Sequence, residues 1–297
     1  MDVADSRVGG PRKAGRGIRP TPITDADVPA VADFLCTAHN ERIPWLEAFT
    51  QAPWSVDAPN HGFMLRDGER VVGTLLALYS QRQIAGRTER FCNMTSWCVM
   101  PEYRARSMSL LNAVLAQEDY HFTVLSPDVG PQEILTWLKF RLLDTSAALV
   151  PNLPWPMMPG RTRISADPDV IERTLTGAEL ELYHDHARAL AASHLVLISG
   201  QESCYVMFRK DRYKGAPVLA VVLHLSNPPL FQRSLKAVTS HLLIHHGAIA
   251  TMAELRITGY RPLMSIAVNR RPKMYRSTDL HASQIDYLYS ELVCVPS

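Results

Sequence analysis

The sequence predicts an α/β protein: a mixed, mostly antiparallel sheet flanked by helices, followed by a second half built on a similar plan. Three observations carry this expectation. Strand-like and helix-like apolar periodicities alternate along the chain. Residues 96–115, SWCVMPEYRARSMSLLNAVL, join a buried-strand pattern to a helical one at a single proline. Beyond the stretch VPNLPWPMMPGR, helix, hairpin, helix and strand patterns return as a shortened version of the earlier order. Identity between the halves is too slight to prove a repeat, so duplication rests on element order.

Each element follows from local chemistry. In TPITDADVPAVADFLCTAHN, Thr24 or Asp25 caps a helix whose Val28, Val31, Phe34 and Leu35 share one face. IPWLEAFTQ predicts a second, short helix. Phe63 to Arg66 and Val71 to Tyr79 form a hairpin turning at Asp67 and Gly68, and RTERFCNMTSWCVM predicts another long strand. A helix from about Ala105 to Gln117 buries Leu111, Val114 and Leu115. YHFTVLSP, apolar almost throughout, predicts a strand covered on both faces. PQEILTWLKF predicts a helix and RLLDTSAALV a further strand. Pro151, Pro154, Pro156 and Pro159 then mark a connection between halves.

After that connection, TGAELELYHDHARALAASH predicts a helix with Leu180, Tyr183 and Leu190 among its apolar positions. SCYVMFRKDRYKGAPVLAVVLHLSN predicts a hairpin turning near Lys214 and Gly215. LFQRSLKAVTSHLLIHH predicts a helix and IATMAELRITG a strand. The expected units are a basic tail over 1–17, a first domain over 18–150, a linker over 151–161 and a second domain over 162–297.

Composition bounds the function. With 46% apolar and 20% charged residues over 297 positions, the chain can fill one large core or two of common size. A net charge of +2 gives no reason to expect a nucleic-acid or membrane-surface partner. Cys36, Cys92, Cys98, Cys204 and Cys294 are scattered without a C-x-x-C pair, which points to a reducing cytoplasm. The first twenty residues lack the apolar core of a secretory signal and predict a disordered segment. No apolar run approaches the ~18 residues of a membrane helix.

The junction at residues 96–115 is the first candidate site, because a helix start turns unpaired N–H groups toward anions. WCVMPEYRARSMSLLNAVL, followed by YHFTVLSP and EILTWLKF, resembles the core of the GCN5-related N-acetyltransferases. Their signature is a strand ending in Val-x-Pro-x-x-Arg, a small-residue loop, a helix, a strand and a helix closing near Gly-Phe. Val99, Pro101, Arg104 and Phe140 match it, and the element order matches over residues 18 to about 150. The second half lacks such a motif and resembles a degenerate copy.

That resemblance implies an acyltransferase moving an acetyl or other acyl group from coenzyme A to an amine by direct attack in a ternary complex. Cys98, Val99 and Met100 then lie along the pantetheine arm. Arg104, Ala105, Arg106, Ser107, Met108 and Ser109 wrap the diphosphate. Ser107 and Ser109 replace small glycine-like residues, and Lys139 replaces the glycine of Gly-Phe. The glutamate that many relatives carry on the strand before the motif is missing, since Asn93, Thr95 and Trp97 hold the facing positions. Leu135 stands where others have a tyrosine. Thr95, Ser126 and Asp128 are the remaining candidates for relaying a proton through water. The implied co-substrate is acetyl-CoA or another acyl-CoA, with a carrier-protein thioester as a second donor type. The expected acceptor is a small-molecule or peptide amine, and no metal is expected. The alternative is a binding or scaffold protein that kept the fold and lost the chemistry.

Other constellations are weaker. His241 and His245 share a helix face, but no third ligand is marked, so packed or surface histidines are expected. His184 and Asp185 are adjacent on a helix and point apart. Cys98 sits in an apolar strand and reads as core rather than nucleophile. Trp155, Met157 and Met158 line a channel in one reading and cover a core edge in the other.

Overall fold

The computed structural model describes residues 17–50, 53–127, 129–156, 162–213 and 216–296. The expected N-terminal tail lies almost wholly outside these residues. The first stretch runs β1 (Thr21–Pro22), α1 (Val28–Ala38), α2 (Trp45–Thr50), β2 (Gly62–Asp67), β3 (Arg70–Ile84) and β4 (Arg87–Val99). It continues with α3 (Ser107–Leu115), β5 (His121–Val124), α4 (Val129–Trp137), β6 (Arg141–Leu142) and β7 (Ser146–Pro151). The second opens with β8 (Arg163–Ser165), α5 (Pro168–Thr174), α6 (Ala178–His186), β9 (Ser193–Ser199), β10 (Glu202–Tyr213) and β11 (Ala216–Leu225). There follow α7 (Pro228–Arg233), α8 (Leu235–His246), β12 (Ala250–Glu254), α9 (Leu255–Thr258), β13 (Ile266–Asn269), β14 (Met274–Arg276) and α10 (Glu291–Cys294).

These strands make two seven-stranded sheets, ordered β1-β2-β3-β4-β5-β14-β6 and β13-β7-β12-β11-β10-β9-β8. Read from β8, the second order repeats the first. In each, three antiparallel pairs lead to a parallel pair, β4 with β5 and β11 with β12. The sixth strand is exchanged: β14 pairs with β5 and β6, while β7 pairs with β12 and β13. Neither sheet is therefore drawn from one stretch of chain alone. The sheets share a core in which Phe91, Leu125 and Tyr275 of the first meet Val196, Met207 and Val221 of the second. Separate apolar clusters lie under α3 and α4 and under α7 and α8.

Several local expectations change here. The strand expected over 141–150 is two, because the Asp144 carboxylate accepts the Ser146 N–H at 2.9 Å and turns the chain from one sheet to the other. The strand expected over 249–259 stops at Glu254 and becomes α9, closed by Gly259 in the left-handed conformation. The helix expected through His194 ends at His186, and the apolar run from Ser193 is β9. Ser234 breaks the expected helix 230–246 into α7 and α8. Among the described residues no helix is long and apolar enough to cross a membrane.

Candidate active site

β4 and β5 pair only where Phe91, Cys92 and Asn93 face His121, Phe122 and Thr123. Beyond that point β4 follows β3 to Val99, and β5 ends at Val124. The wedge between them receives the turn that opens α10. Asn93 anchors it: its Oδ1 accepts the Glu291 N–H at 2.9 Å, and its Nδ2 donates to Thr123 Oγ1 at 3.1 Å. Glu291 Oε1 accepts the Leu125 N–H at 3.2 Å and the Ser126 hydroxyl at 2.8 Å. Its other oxygen, Oε2, is buried without a hydrogen-bond partner among the described residues. Burial lifts the Glu291 carboxyl above the ordinary carboxylate range, and the bonds from Ser126 and Asn93 pull it partly back.

Glu291 lines a cavity of about 560 Å³. That size suits a small organic substrate. His39, Trp45, Leu111, Leu135, Arg209 and Lys273 line the cavity as well. Thr95, Ser96 and Trp97 form the β4 wall. There the register against β3 slips by one residue between Leu76–Thr95 and Thr74–Cys98, and Ser96 takes φ 51°. Such a bulge leaves its extra residue outside the ladder and re-aims the neighbouring backbone. The Lys273 ammonium, 2.6 Å from Glu254, is pushed down to about 8 by burial against the pull of that carboxylate.

The candidates fall unevenly around this cavity. Thr95 and Ser126 line it, and Ser126 is bonded to Glu291. Asp128 lies outside the described residues. Cys98 is half-buried with its thiol pushed up by burial, as a core cysteine rather than a nucleophile. Val99 pairs with Gly73, and the Met100 N–H is taken by the Val72 carbonyl at 2.9 Å. Pro101 to Arg106 wind into a 3₁₀ turn that runs directly into α3. Within it the Ser107 N–H bonds the Arg104 carbonyl, and the Ser109 hydroxyl donates to the Arg106 carbonyl at 2.6 Å. Two donors that the resemblance assigns to phosphate are thus engaged inside the chain. Arg104, Ala105 and Arg106 are exposed, while Ser107, Met108 and Ser109 are half-buried.

Other clusters stay outside this site. His241, His245 and His246 crowd one another on α8, with ring centroids 4.4 and 5.6 Å from His241. Trp155 packs under Lys236 of α8, as a core-edge cover, and Met157 and Met158 lie outside the described residues. Glu89, His121 and Asp279 have ligand-like spacing, but Arg87 lies 3.4 and 3.6 Å from the two carboxylates and already compensates them.

Sequence reasoning missed Glu291, which lies 198 positions beyond the asparagine that holds it. One signal was present. A single glutamate inside DYLYSELVCV is a charge in an apolar run, and buried carboxylates are rare unless they are held and used.

No protein-family model matches this sequence, and no curated protein matches it. Solved structures do resemble it. A GCN5-related N-acetyltransferase from Anabaena variabilis aligns over 87% of this chain and 72% of its own, at 13% identity and TM-score 0.56. Another from Kribbella flavida aligns over 87% and 70%, at 16% identity and TM-score 0.55. A protein of Pyrococcus horikoshii aligns over 97% and 96%, at 10% identity and TM-score 0.52. With the diverging β4 and β5, the bulge at Ser96 and the repeated sheet order, these likenesses lead to one conclusion: the chain has the fold of the GCN5-related N-acetyltransferases, carried in two halves.

Proposed function

We propose that this protein is an acyltransferase that moves an acetyl or other acyl group from coenzyme A to an amine by direct attack. The observation that carries this reading is Glu291, a buried carboxylate with one oxygen unpartnered among the described residues, on a residue that lines the cavity where β4 and β5 part. Its carboxylate takes the ammonium proton, the neutral nitrogen attacks the thioester carbonyl, the C–N bond forms and the C–S bond breaks, and the second proton shed by the nitrogen passes to the departing sulfur, which leaves as the free thiol. A carboxyl lifted above the ordinary range by burial is a stronger base than a solvated carboxylate, which suits it to this task. Asn93 and Ser126 hold it, and the backbone at the Ser96 bulge polarises the thioester oxygen. The open edge of Cys98 to Met100 carries the pantetheine arm. The Arg104 to Ser109 turn meets the diphosphate chiefly through its two arginines. The acceptor is a small-molecule or peptide amine, the donor a CoA or carrier-protein thioester, and the setting a reducing cytoplasm.

Free-thiol release from acetyl-CoA with a panel of amines, followed from neutral to alkaline pH, tests this. The base works when ionised, so the wild-type rate should rise with pH and level off above the Glu291 pKa. Glu291→Gln should lose about 10²- to 10⁴-fold and keep climbing toward the free-amine pKa of about 10. Matching profiles would remove Glu291 from the reaction. The engaged Ser107 N–H and Ser109 hydroxyl favour a second reading, a scaffold that has lost the chemistry. Acetyl-CoA binding without thiol release from any amine would establish that reading instead.

A further inference from the structure

We infer that the acceptor is an amine that also carries an acidic group, a carboxylate, sulfonate or phosphate, received by the cationic wall that the second half gives to the cavity. This rests on the acyl-transfer reading above, but its own observations lie elsewhere in the chain. The cavity of Glu291 is completed by Arg209, Asp211 and Arg212 from β10 and by Arg270, Arg271 and Lys273 from the segment between β13 and β14. Five cations thus stand against Asp211 and, behind Lys273, Glu254.

The wall is built rather than incidental. Arg209 is buried, with Nε on Asp211 Oδ1 at 2.6 Å and a terminal nitrogen on the Leu292 carbonyl at 2.8 Å. Arg270 reaches the other Asp211 oxygen at 3.1 Å, so one carboxylate is shared by two fixed guanidinium groups. Arg212 and Arg271 are exposed at the rim. Even with Arg212 left out, Arg209, Arg270, Arg271 and Lys273 outnumber Asp211, Glu254 and an ionised Glu291, so the wall keeps a positive excess.

A concave, partly dry site focuses such a field. An amine with a second cationic group must enter against it. An amine with an acid enters with it, and guanidinium groups read carboxylate, sulfonate and phosphate by paired hydrogen bonds. The same field disfavours the ammonium form of the bound amine, which helps Glu291 deliver a neutral nucleophile. The selective group and the reacting group of the substrate are thereby assigned to different residues of one cavity.

Trp45 and Trp97 line that cavity, so tryptophan fluorescence reports occupancy whether or not turnover occurs. The full-length protein would be titrated with phosphoethanolamine, taurine, ethanolamine and putrescine, with and without coenzyme A. At least one acid-bearing amine should bind roughly tenfold or more tighter than ethanolamine, with putrescine weakest. Arg271→Ala combined with Arg212→Ala should bring the compounds near parity, and Arg271→Glu should reverse the order, with acetyl-CoA affinity held. Equal binding of acidic and neutral amines by the wild type would overturn the inference. So would a loss of acetyl-CoA affinity in the arginine variants, which would assign the wall to the co-substrate's own phosphates. Acid-selective binding without thiol release would keep this inference and remove the transfer reading. Turnover without acid preference would do the opposite.

Discussion

The two sheets present the same junction and use it differently. In the first, β4 bulges against β3, the Met100 N–H bonds the Val72 carbonyl, and a proline opens the next helical turn. In the second, β11 carries an extra residue, Leu223, opposite the Met207–Phe208 step of β10, the Ser226 N–H bonds the Tyr205 carbonyl, and Pro228 opens α7. Yet Ser96 sits at φ 51°, whereas no described residue from 218 to 225 has positive φ. A polar turn carrying Glu291 enters the first wedge and borders a cavity. At the second junction Phe208, Leu230, Phe231 and Val238 close into one apolar cluster. The Asn227 side chain caps α7 by accepting the Leu230 N–H at 3.1 Å, leaving that donor nothing to offer an anion. Topology supplies the wedge, and the side chains placed in it decide whether it becomes a site or a core.

The exchanged strands join the halves, and breaking their ionic link should have the largest effect on stability. Lys273 precedes β14 in the first sheet and meets Glu254 at the end of β12 in the second, both buried. Lys273→Ala leaves a buried carboxylate facing the Tyr287 hydroxyl and should lower unfolding free energy by about 3–5 kcal/mol. Urea unfolding followed by a probe in each half should show both halves losing stability together. Loss confined to one half would mean that the sheets are held by other contacts.

Acid should separate the halves next. All the histidines held below their ordinary pKa by burial, His186, His194, His224, His241 and His246, belong to the second stretch, with His194 and His241 at about 4. A depressed histidine gives stability that is full above its unfolded value near 6.5 and is lost as pH falls through the folded value. Hydrogen exchange between pH 7 and 4 should therefore open β9 to β12 before β2 to β4. Uniform loosening would contradict this ordering.

The smallest expected effect tests the junction itself. Asn227→Ala removes the α7 cap and should cost about 1 kcal/mol. Ser109→Ala removes a hydroxyl bonded within α3 and should cost less, since no side chain caps that helix. Thermal unfolding of the two variants gives the comparison. Equal losses would mean that the hydroxyl at 109 supports its junction as firmly as the cap at 227.

Much of the first sheet was readable because its determinants are neighbours in the chain. Asp67 and Gly68 set the hairpin of β2 and β3, alternation sets β4, and Pro101 with Leu111 and Val114 sets the helix after it. The same reasoning failed where a run of apolar residues serves two elements. IATMAELRITG has a uniform strand-like composition, yet the chain turns at Glu254, where the carboxylate must reach Lys273. Residues 260–297 carried almost no periodic signal, and they supply β13, β14, α10 and the glutamate.

Side-chain period and turn chemistry act over a few residues, so the linear chain already dictated the strands, the helix after Pro101 and the arginines and serines in its first turns. Pairing between distant segments has no such local code. Whether β7 and β14 stay with their own stretch or cross over depends on which edge each meets during packing, and so does the meeting of Asn93 with Glu291. The facing β4 positions Asn93, Thr95 and Trp97 carry no carboxylate of their own. Only the folded chain shows that Asn93 holds a carboxylate brought from 198 positions away, because a buried polar turn needs neighbours such as Asn93, Leu125 and Ser126 to engage its donors and acceptors.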